Sequence, residues 1–214
     1  MKIIILSGFL GAGKTTFLLR MVDYLYNQPL YSGSGDESEP ARIAIIENEI
    51  GSVNLDSRML DGKGLTMREM LSGCICCSLR QNLAMEITQL TETISPDLII
   101  IEATGLASGR EIIEGLKYYV EEDDTPLFSI VLVDASRLPY LLERTPAMVG
   151  RQLEEVDVLV LNKIDLVSPE AKVEACQLLK EISPGVQIVE TAAENGIAVE
   201  AWQQIFAGLN EPKD

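Results

Sequence analysis

The chain of 214 residues is strongly acidic, with 33 Asp and Glu against 17 Lys and Arg and a net charge of −16 at pH 7. Such a surface repels a phosphate backbone, which excludes nucleic acid as the main partner. Hydrophobic residues make up 47% of the chain, so we expect a single domain over residues 1–214. No apolar run approaches the roughly 20 residues that span a bilayer, and no leader-like segment precedes the first predicted strand. We therefore expect a cytoplasmic protein with no membrane partner.

Apolar, β-branched runs alternate with helical segments along the chain. The predicted strands are Lys2–Ser7, Arg42–Ile46, Leu98–Glu102, Ser129–Asp134, Val156–Asn162 and Gln187–Glu190. The predicted helices are Thr15–Asn27, Leu79–Ile94, Gly109–Glu121, Gln152–Glu155 with the turn before it, Pro169–Ile182 and Ala198–Leu209. Most of the strands are continuously apolar, which is typical of strands covered on both faces. The alternation predicts an α/β fold with a doubly wound, mainly parallel sheet in three layers, whose ligands bind beyond the carboxyl ends of the strands.

Residues 31–40, YSGSGDESEP, interrupt this alternation with a polar and acidic stretch. Composition of this kind favours a flexible, solvated surface loop over a metal site built from its three acids.

The segment GFLGAGKTT at residues 8–16 carries the clearest chemical signal. It matches the pattern G-x-x-x-x-G-K-[ST] between a strand and a helix, the context that separates a phosphate-binding loop from an ordinary glycine-rich turn. Backbone N–H groups of such a loop bind phosphate oxygens. We expect Lys14 to reach the β- and γ-phosphates and the Thr15 hydroxyl to bind Mg²⁺. The residues expected to contact the phosphates are Gly8, Gly11, Ala12, Gly13, Lys14, Thr15 and Thr16.

The segment NKID at residues 162–165 points to guanine. An ionised Asp165 accepts hydrogen bonds from guanine N1–H and the 2-amino group, whereas adenine leaves it unsatisfied at a cost on the order of several kcal/mol. A polar strand exit with Asp165 capping a turn is the alternative, and the phosphate-binding loop earlier in the chain favours the base site. Asn162 and Lys163 belong to the same motif. We expect main-chain N–H groups around Ala192 to back the base.

The apolar run LIIIE at residues 98–102 ends in a carboxylate, as a Walker B strand does, with Glu in place of Asp. We expect Glu102 to hold Mg²⁺ and, with Lys14 and Thr15, to serve catalysis, and we expect the Gly105 N–H to contact the γ-phosphate. A helix N-terminal carboxylate without a metal is the alternative for Glu102. Arg80 is a weak candidate for a hydrolytic residue, so we expect slow intrinsic turnover that a partner or a dimer raises.

Three of the four cysteines crowd into GCICC at residues 73–77. In a reducing compartment such crowding favours metal or redox chemistry over a disulfide framework. Ser78 and Gln81 have the spacing of a capping box, so a helix is expected to begin at Ser78. The dipole of that helix favours the thiolate form, which binds metal.

Histidine is absent, so a transition-metal site must use sulfur, carboxylate, backbone or water. The cysteine sulfurs are soft ligands, and in the absence of histidine they favour Zn²⁺ over Co²⁺ or Cu⁺. Glu47 and Glu49 are candidates for a further ligand. A redox thiol cluster and a purely structural cluster are the alternatives. The remaining cysteine, Cys176, is expected in the core.

These segments together resemble the CobW-like GTPases, which are related to the UreG and HypB nickel-insertion GTPases. The segments that carry the resemblance are residues 8–16, 47–49 (ENE), 73–77 (GCICC), 102–107 (EATGLA) and 162–165 (NKID), in the family's order. The resemblance implies a P-loop NTPase fold of the SIMIBI type and GTP hydrolysis linked to metal delivery to a client metalloprotein or a cobalamin pathway enzyme. It also implies Glu47, Cys76 and Cys77 as metal ligands, to which we add Cys74.

The chain departs from that family in three ways. We expect no C-terminal domain of the family's type, Ser52 stands at a commonly acidic position, and no histidine-rich stretch is present. The missing histidines argue against metal storage.

The sequence thus predicts a GTPase that uses GTP, GDP and Mg²⁺ and binds Zn²⁺ or Co²⁺. A metal shared between residues 47–49 and the cysteines would couple metal occupancy to the γ-phosphate, and a nucleotide-dependent homodimer is one arrangement of the assembly. Two alternatives stay open. One is a GTPase activator of a corrinoid or redox enzyme that uses its thiols without stable metal, and the other is a metal-sensing GTP switch.

Overall fold

The computed structural model describes residues 1–26, 42–47, 66–69, 78–103, 108–120 and 125–210. The strands in these ranges are β1 (Lys2–Gly8), β2 (Ile43–Glu47), β3 (Thr66–Glu69), β4 (Leu98–Glu102), β5 (Leu127–Asp134), β6 (Val158–Asn162) and β7 (Gln187–Glu190). The α-helices are α1 (Lys14–Tyr26), α2 (Ser78–Ile94), α3 (Gly109–Val120), α4 (Leu138–Arg144), α5 (Pro146–Gln152), α6 (Pro169–Ile182) and α7 (Val199–Ile205). Single 3₁₀ turns cover Ile164–Leu166, Ala193–Asn195 and Ala207–Asn210.

The described strands form one sheet in the order β3-β2-β4-β1-β5-β6-β7. All six neighbouring pairs are parallel, so the carboxyl ends of the strands share one edge. β1 lies between β4 and β5, at the point where the strand order changes direction. An open parallel sheet of this kind binds ligands in the crevice beyond such a point. The predicted α/β, doubly wound, parallel fold is confirmed.

Helices cover both faces of the sheet because the strands are apolar on both faces. On β1, Ile4 and Leu6 pack with α1 and α7, while Ile3 and Ile5 pack with α2 and α3 on the opposite face. A third cluster on that second face joins β5 and β6 to α4, α5 and α6. The result is the expected three-layer arrangement.

Aromatic contacts fix α1 against α7. The ring of Trp202 lies 5.0 Å from Phe17 and 5.3 Å from Tyr24, centroid to centroid, and 5.8 Å from Phe206. Such pairs contribute beyond their buried area. Because α1 begins at Lys14, this packing also fixes the end of the glycine-rich loop.

Three element predictions are wrong in detail. The helix expected at residues 152–155 is replaced by α4 and α5, which begin with Pro139 and Pro146 in their first turns, where proline is tolerated. β3 was not predicted because three of the four residues in its sequence, TMRE, are polar. Among the described strands it pairs with β2 alone. The last helix ends at Ile205 and a 3₁₀ turn follows it.

We predict that Phe17→Ala lowers the free energy of unfolding by about 3–5 kcal/mol, because Phe17 is fully buried and its loss leaves a cavity. Denaturant unfolding followed by the fluorescence of Trp202 measures the change. Val173→Ala, at a side chain that is 53% exposed, serves as the control and should stay within about 0.5 kcal/mol. Equal effects of the two substitutions would contradict the packing described above.

Candidate functional site

The loop between β1 and α1 adopts a conformation that requires glycine. Gly8 has φ of +139° and Gly13 has φ of +93°. A Cβ at Gly8 would lie 2.3 Å from the carbonyl oxygen of Leu132, and a Cβ at Gly13 would lie 2.7 Å from Asn162 Nδ2. Neighbouring backbone and side chains therefore pass so close to the loop that no other residue fits at these two positions.

Lys14 lies inside the loop. Its side chain is only 9% exposed, and its ammonium group donates to the carbonyl oxygens of Gly8 at 3.2 Å and Phe9 at 3.4 Å. A buried ammonium held at the rim of a glycine loop is a fitting partner for a phosphate, since both carry full charges.

Side chains from outside the loop hold its next three carbonyl groups. The carbonyl oxygens of residues 10, 11 and 12 accept from Arg137 Nη1 at 3.1 Å, Lys163 Nζ at 2.5 Å and Asn162 Nδ2 at 2.9 Å, respectively. In a trans peptide the N–H points opposite to the C=O. The N–H groups of residues 11–13 therefore point away from these side chains. The N–H of Ala12 donates to the carbonyl oxygen of Phe9 at 3.1 Å, and those of Gly11 and Gly13 have the orientation that a phosphate-binding loop requires.

Thr15 and Glu102 meet at the start of α1. The Thr15 hydroxyl lies 3.3 Å from Glu102 Oε1, and Glu102 ends β4, the strand beside β1. A hydroxyl and a carboxylate are hard oxygen donors of the kind that Mg²⁺ accepts. The residues present thus fit Mg²⁺ bound with a nucleoside triphosphate. Thr16, the next residue of α1, is half-buried.

Asn162 joins the glycine loop to the loop after β7. It is buried, and its Oδ1 accepts from the Thr191 hydroxyl at 3.1 Å and from the Ala193 N–H at 3.0 Å. Its amide also donates to the glycine loop, as described above. The carbonyl of Ala192 accepts from the Asn195 N–H at 2.9 Å. One side chain therefore sets the relative positions of two loops.

Lys163 is positioned by a carboxylate that sequence reasoning missed. Asp134, at the end of β5, is 2% exposed, and its Oδ2 lies 2.8 Å from Lys163 Nζ. Burial alone raises the pKa of Asp134, but hydrogen bonds from Lys163 and Ser136 outweigh it and hold that pKa below its ordinary value. Asp134 is therefore ionised at neutral pH. The sequence carried a signal for Asp134, because the predicted strand Ser129–Asp134 is mostly apolar and ends in a carboxylate. The strand that ends at Glu102 has the same pattern.

Asp165 lies exposed beside the same edge of the sheet. Its Oδ2 accepts from the side-chain amide of Asn195 at 3.1 Å. Asn195, which the sequence analysis did not identify, comes from the 3₁₀ turn after β7. Thirty residues separate the two, so no local pattern linked them. The carboxylate is accessible and its orientation is fixed by a neighbour.

Several predicted site residues lie outside the described residues. They are Gly105, Glu49, Cys74, Cys76 and Cys77. The backbone of Glu47 is described, and it ends β2 as the register partner of Glu102. The helix predicted to begin at Ser78 does begin there.

Cys176 is half-buried at the edge of a core cluster rather than deep within it. Its Sγ lies 3.5 Å from Glu190 Oε1. Burial, followed by the nearby Glu190 carboxylate, raises the pKa of the Cys176 thiol, so the thiol stays protonated.

Within the ranges that the structure describes, no three His, Cys, Asp or Glu side chains lie together as a metal site. In the same ranges, no helix combines the length and the apolar composition that crossing a membrane requires.

Comparisons with known proteins place the chain among nucleotide-binding proteins. The family model described as CobW/HypB/UreG, nucleotide-binding domain, matches residues 2–190. The chain is 27% identical over 225 residues to the zinc-regulated GTPase metalloprotein activator 1 of Dictyostelium discoideum, covering 87% of this chain and 45% of that protein. It is 30% identical over 171 residues to the zinc chaperone YeiR of Escherichia coli, covering 78% of this chain and 48% of that protein.

The crystal structure of the Zn(II)-bound YjiA GTPase from E. coli has a similar fold. The TM-score is 0.61 at 21% sequence identity, over 100% of this chain and 66% of YjiA. The chain spans about half the length of the two curated relatives given above. Since the family model covers residues 2–190, with every strand that the structure describes and the glycine loop, the chain belongs to the CobW/HypB/UreG family and contains its nucleotide-binding domain.

Proposed function

We propose that the protein binds and hydrolyses GTP and couples that cycle to the delivery of Zn²⁺ or Co²⁺ to a client metalloprotein or a cobalamin pathway enzyme. One observation carries the nucleotide part of the proposal. The buried ammonium of Lys14, the Thr15–Glu102 pair and the exposed carboxylate of Asp165 lie along one edge of the sheet. Asn162, at the end of the strand that precedes Asp165, donates to the glycine loop and accepts from the loop after β7.

The residues of the site have distinct roles in this proposal. Lys14 neutralises charge on the β- and γ-phosphates, and the loop N–H groups bind their oxygens. Thr15 and Glu102 hold Mg²⁺, which supplies further charge neutralisation when it is bound. Asp165 and the loop around Ala192 bind guanine. Gly105, which lies outside the described residues, is proposed to contact the γ-phosphate.

The proposal includes slow intrinsic turnover. In P-loop GTPases a glutamine orients the attacking water and an arginine stabilises the transition state. None of the groups assigned above has the water-orienting role. A partner, or a second copy of the chain bound in the GTP state, is proposed to complete the site.

The metal part of the proposal rests on the cysteine motif and on the position of Glu47. Glu47 ends the strand next to Glu102, with the two Cα atoms in register, and neighbouring strands lie about 4.8 Å apart. A segment that binds the delivered metal through Glu47 would therefore begin one strand away from the proposed Mg²⁺ ligand. The names of the relatives support zinc as the first metal to test, since one is a zinc chaperone and another structure holds Zn(II).

We predict that Lys14→Ala weakens the binding of GTP and GDP by about 10- to 100-fold, because a charged hydrogen bond to phosphate contributes about 1.5–3 kcal/mol. Titration with a fluorescent GDP analogue measures the affinity. Lys180→Ala, which removes an exposed lysine on α6, is the control and should change nothing. Unchanged affinity in the Lys14 variant would refute the assignment of the loop.

We predict that Asp165→Asn shifts the preference from GTP towards xanthosine triphosphate, because the new amide donates to the 2-oxo group that replaces the 2-amino group. Competition between the two nucleotides gives the ratio of affinities. Glu174→Gln removes an exposed carboxylate of α6 and should leave the ratio unchanged. If the Asp165 variant still prefers GTP to the same degree, Asp165 does not bind the base.

We predict that the double variant Cys76→Ser, Cys77→Ser lowers Zn²⁺ affinity at least about 100-fold. Thiolates supply a large share of the roughly 10–16 kcal/mol that such sites contribute. Anaerobic titration against a chromophoric chelator measures Zn²⁺, and GDP affinity should change less than about twofold. Cys176→Ser is the matched control. Zinc binding that survives the double substitution would place the metal elsewhere.

A further inference from the structure

We infer that Arg137 is a positioning residue of the nucleotide site, which holds the tip of the phosphate-binding loop in its binding conformation. The inference rests on the proposed function, because it assigns the residue a role in binding guanine nucleotides. Sequence analysis did not identify Arg137, which lies 127 positions after the loop residue that it contacts.

Both ends of the contact are fixed. The backbone of Arg137 is anchored to the end of β5, since its N–H donates to the carbonyl of Asp134 at 3.1 Å. Its own carbonyl accepts from the Leu141 N–H at 3.0 Å in the first turn of α4. From this position the guanidinium reaches the carbonyl of Leu10 at 3.1 Å. The arginine therefore connects a rigid strand end to the most exposed part of the loop.

Among the described residues, one backbone hydrogen bond also closes the turn at the tip of the loop, from the Ala12 N–H to the carbonyl of Phe9 at 3.1 Å, but it leaves the peptide between Leu10 and Gly11 itself without a second contact. Leu10 is 78% exposed, so its apolar side chain contributes almost no burial to the loop conformation. Gly11 has φ of +78° and, as glycine, offers no side chain to pack. A Cβ at Gly11 would lie 2.9 Å from Arg137 Nη1. The guanidinium thus occupies the space beside Gly11 and braces this peptide by contact as well as by hydrogen bonding.

The contact acts on the ligand through the orientation of the peptide group between Leu10 and Gly11. Arg137 holds the Leu10 carbonyl on the outer side, so the N–H of Gly11 points in the opposite direction. Without this contact the Leu10–Gly11 peptide would have to be ordered when the phosphates bind, and the entropy lost in that step would lower the affinity. The neighbouring carbonyls are held by Lys163 and Asn162, which also make the contacts to Asp134 and to the loop after β7 described above. Loss of Arg137 therefore affects the tip peptide and leaves the base side in place.

The test compares three variants in the full chain. Arg137→Ala removes the donor, and Arg137→Lys keeps a charged donor of similar reach. Arg144→Ala is the matched control, since it removes a positive charge from the last turn of α4, the helix that follows Arg137. The Arg144 guanidinium lies 5.8 Å from the centre of the Tyr140 ring and not on the loop. Affinities for GDP and inosine diphosphate are measured by competition with a fluorescent GDP analogue. Thermal unfolding is followed without nucleotide.

We expect Arg137→Ala to weaken GDP binding by about 3- to 10-fold, the range for one solvent-accessible hydrogen bond from a charged group. The ratio of GDP to inosine diphosphate affinity and the unfolding temperature should stay unchanged, since neither base recognition nor the fold depends on the contact. Arg137→Lys should recover most of the loss, and Arg144→Ala should show none.

Three results would overturn the inference while the proposed function stands: wild-type affinity in Arg137→Ala, an equal loss in Arg137→Lys, or a loss accompanied by a lower unfolding temperature. Failure of the wild-type chain to bind GDP would instead refute the proposed function itself.

Discussion

The site depends on the orientation of three carbonyl groups in the glycine loop, which side chains from outside the loop hold in place. The carbonyls of residues 10–12 are held by Arg137, Lys163 and Asn162. Arg137 follows β5, Asn162 ends β6, and Lys163 comes directly after it. Because each peptide is planar, fixing the carbonyl fixes the N–H that a phosphate needs. Ordering a flexible loop on binding costs conformational entropy, which lowers affinity. In this chain folding already orders the loop, so ligand binding does not carry that cost.

The topology of the sheet explains why these side chains meet. β1 is central, with β4 and β5 as neighbours, so the loop after β1 lies among the ends of several other strands. Glu102 comes from one side, and Asp134 and Asn162 come from the other. Aromatic packing of α1 on α7 fixes the helix that carries Thr15. The same order of strands puts the end of β2, with Glu47, one strand beyond Glu102, and the proposed link between metal and nucleotide rests on that placement.

Sequence reasoning succeeded where the signal is local. The strand, glycine loop and helix around Lys14, and the polar exit from β6 at Asn162, are contiguous patterns whose physics is carried by neighbouring residues. It failed where the contact is distant in sequence. Arg137 and Asn195 contribute through hydrogen bonds to residues 127 and 30 positions away, and no periodicity reports such contacts. β3 was missed because its polar residues at the sheet edge lack the apolar run that marks a buried strand.

In the function proposed here, metal binding by the cysteine motif and Glu47 responds to the third phosphate of the nucleotide. The most direct measurement is the Zn²⁺ affinity of the wild-type chain, by anaerobic equilibrium dialysis, in the nucleotide-free form, with GDP, and with a non-hydrolysable GTP analogue. We expect the affinities with GDP and with the GTP analogue to differ by at least about tenfold, equivalent to a coupling free energy of about 1.4 kcal/mol. Equal affinity in all three forms would contradict it.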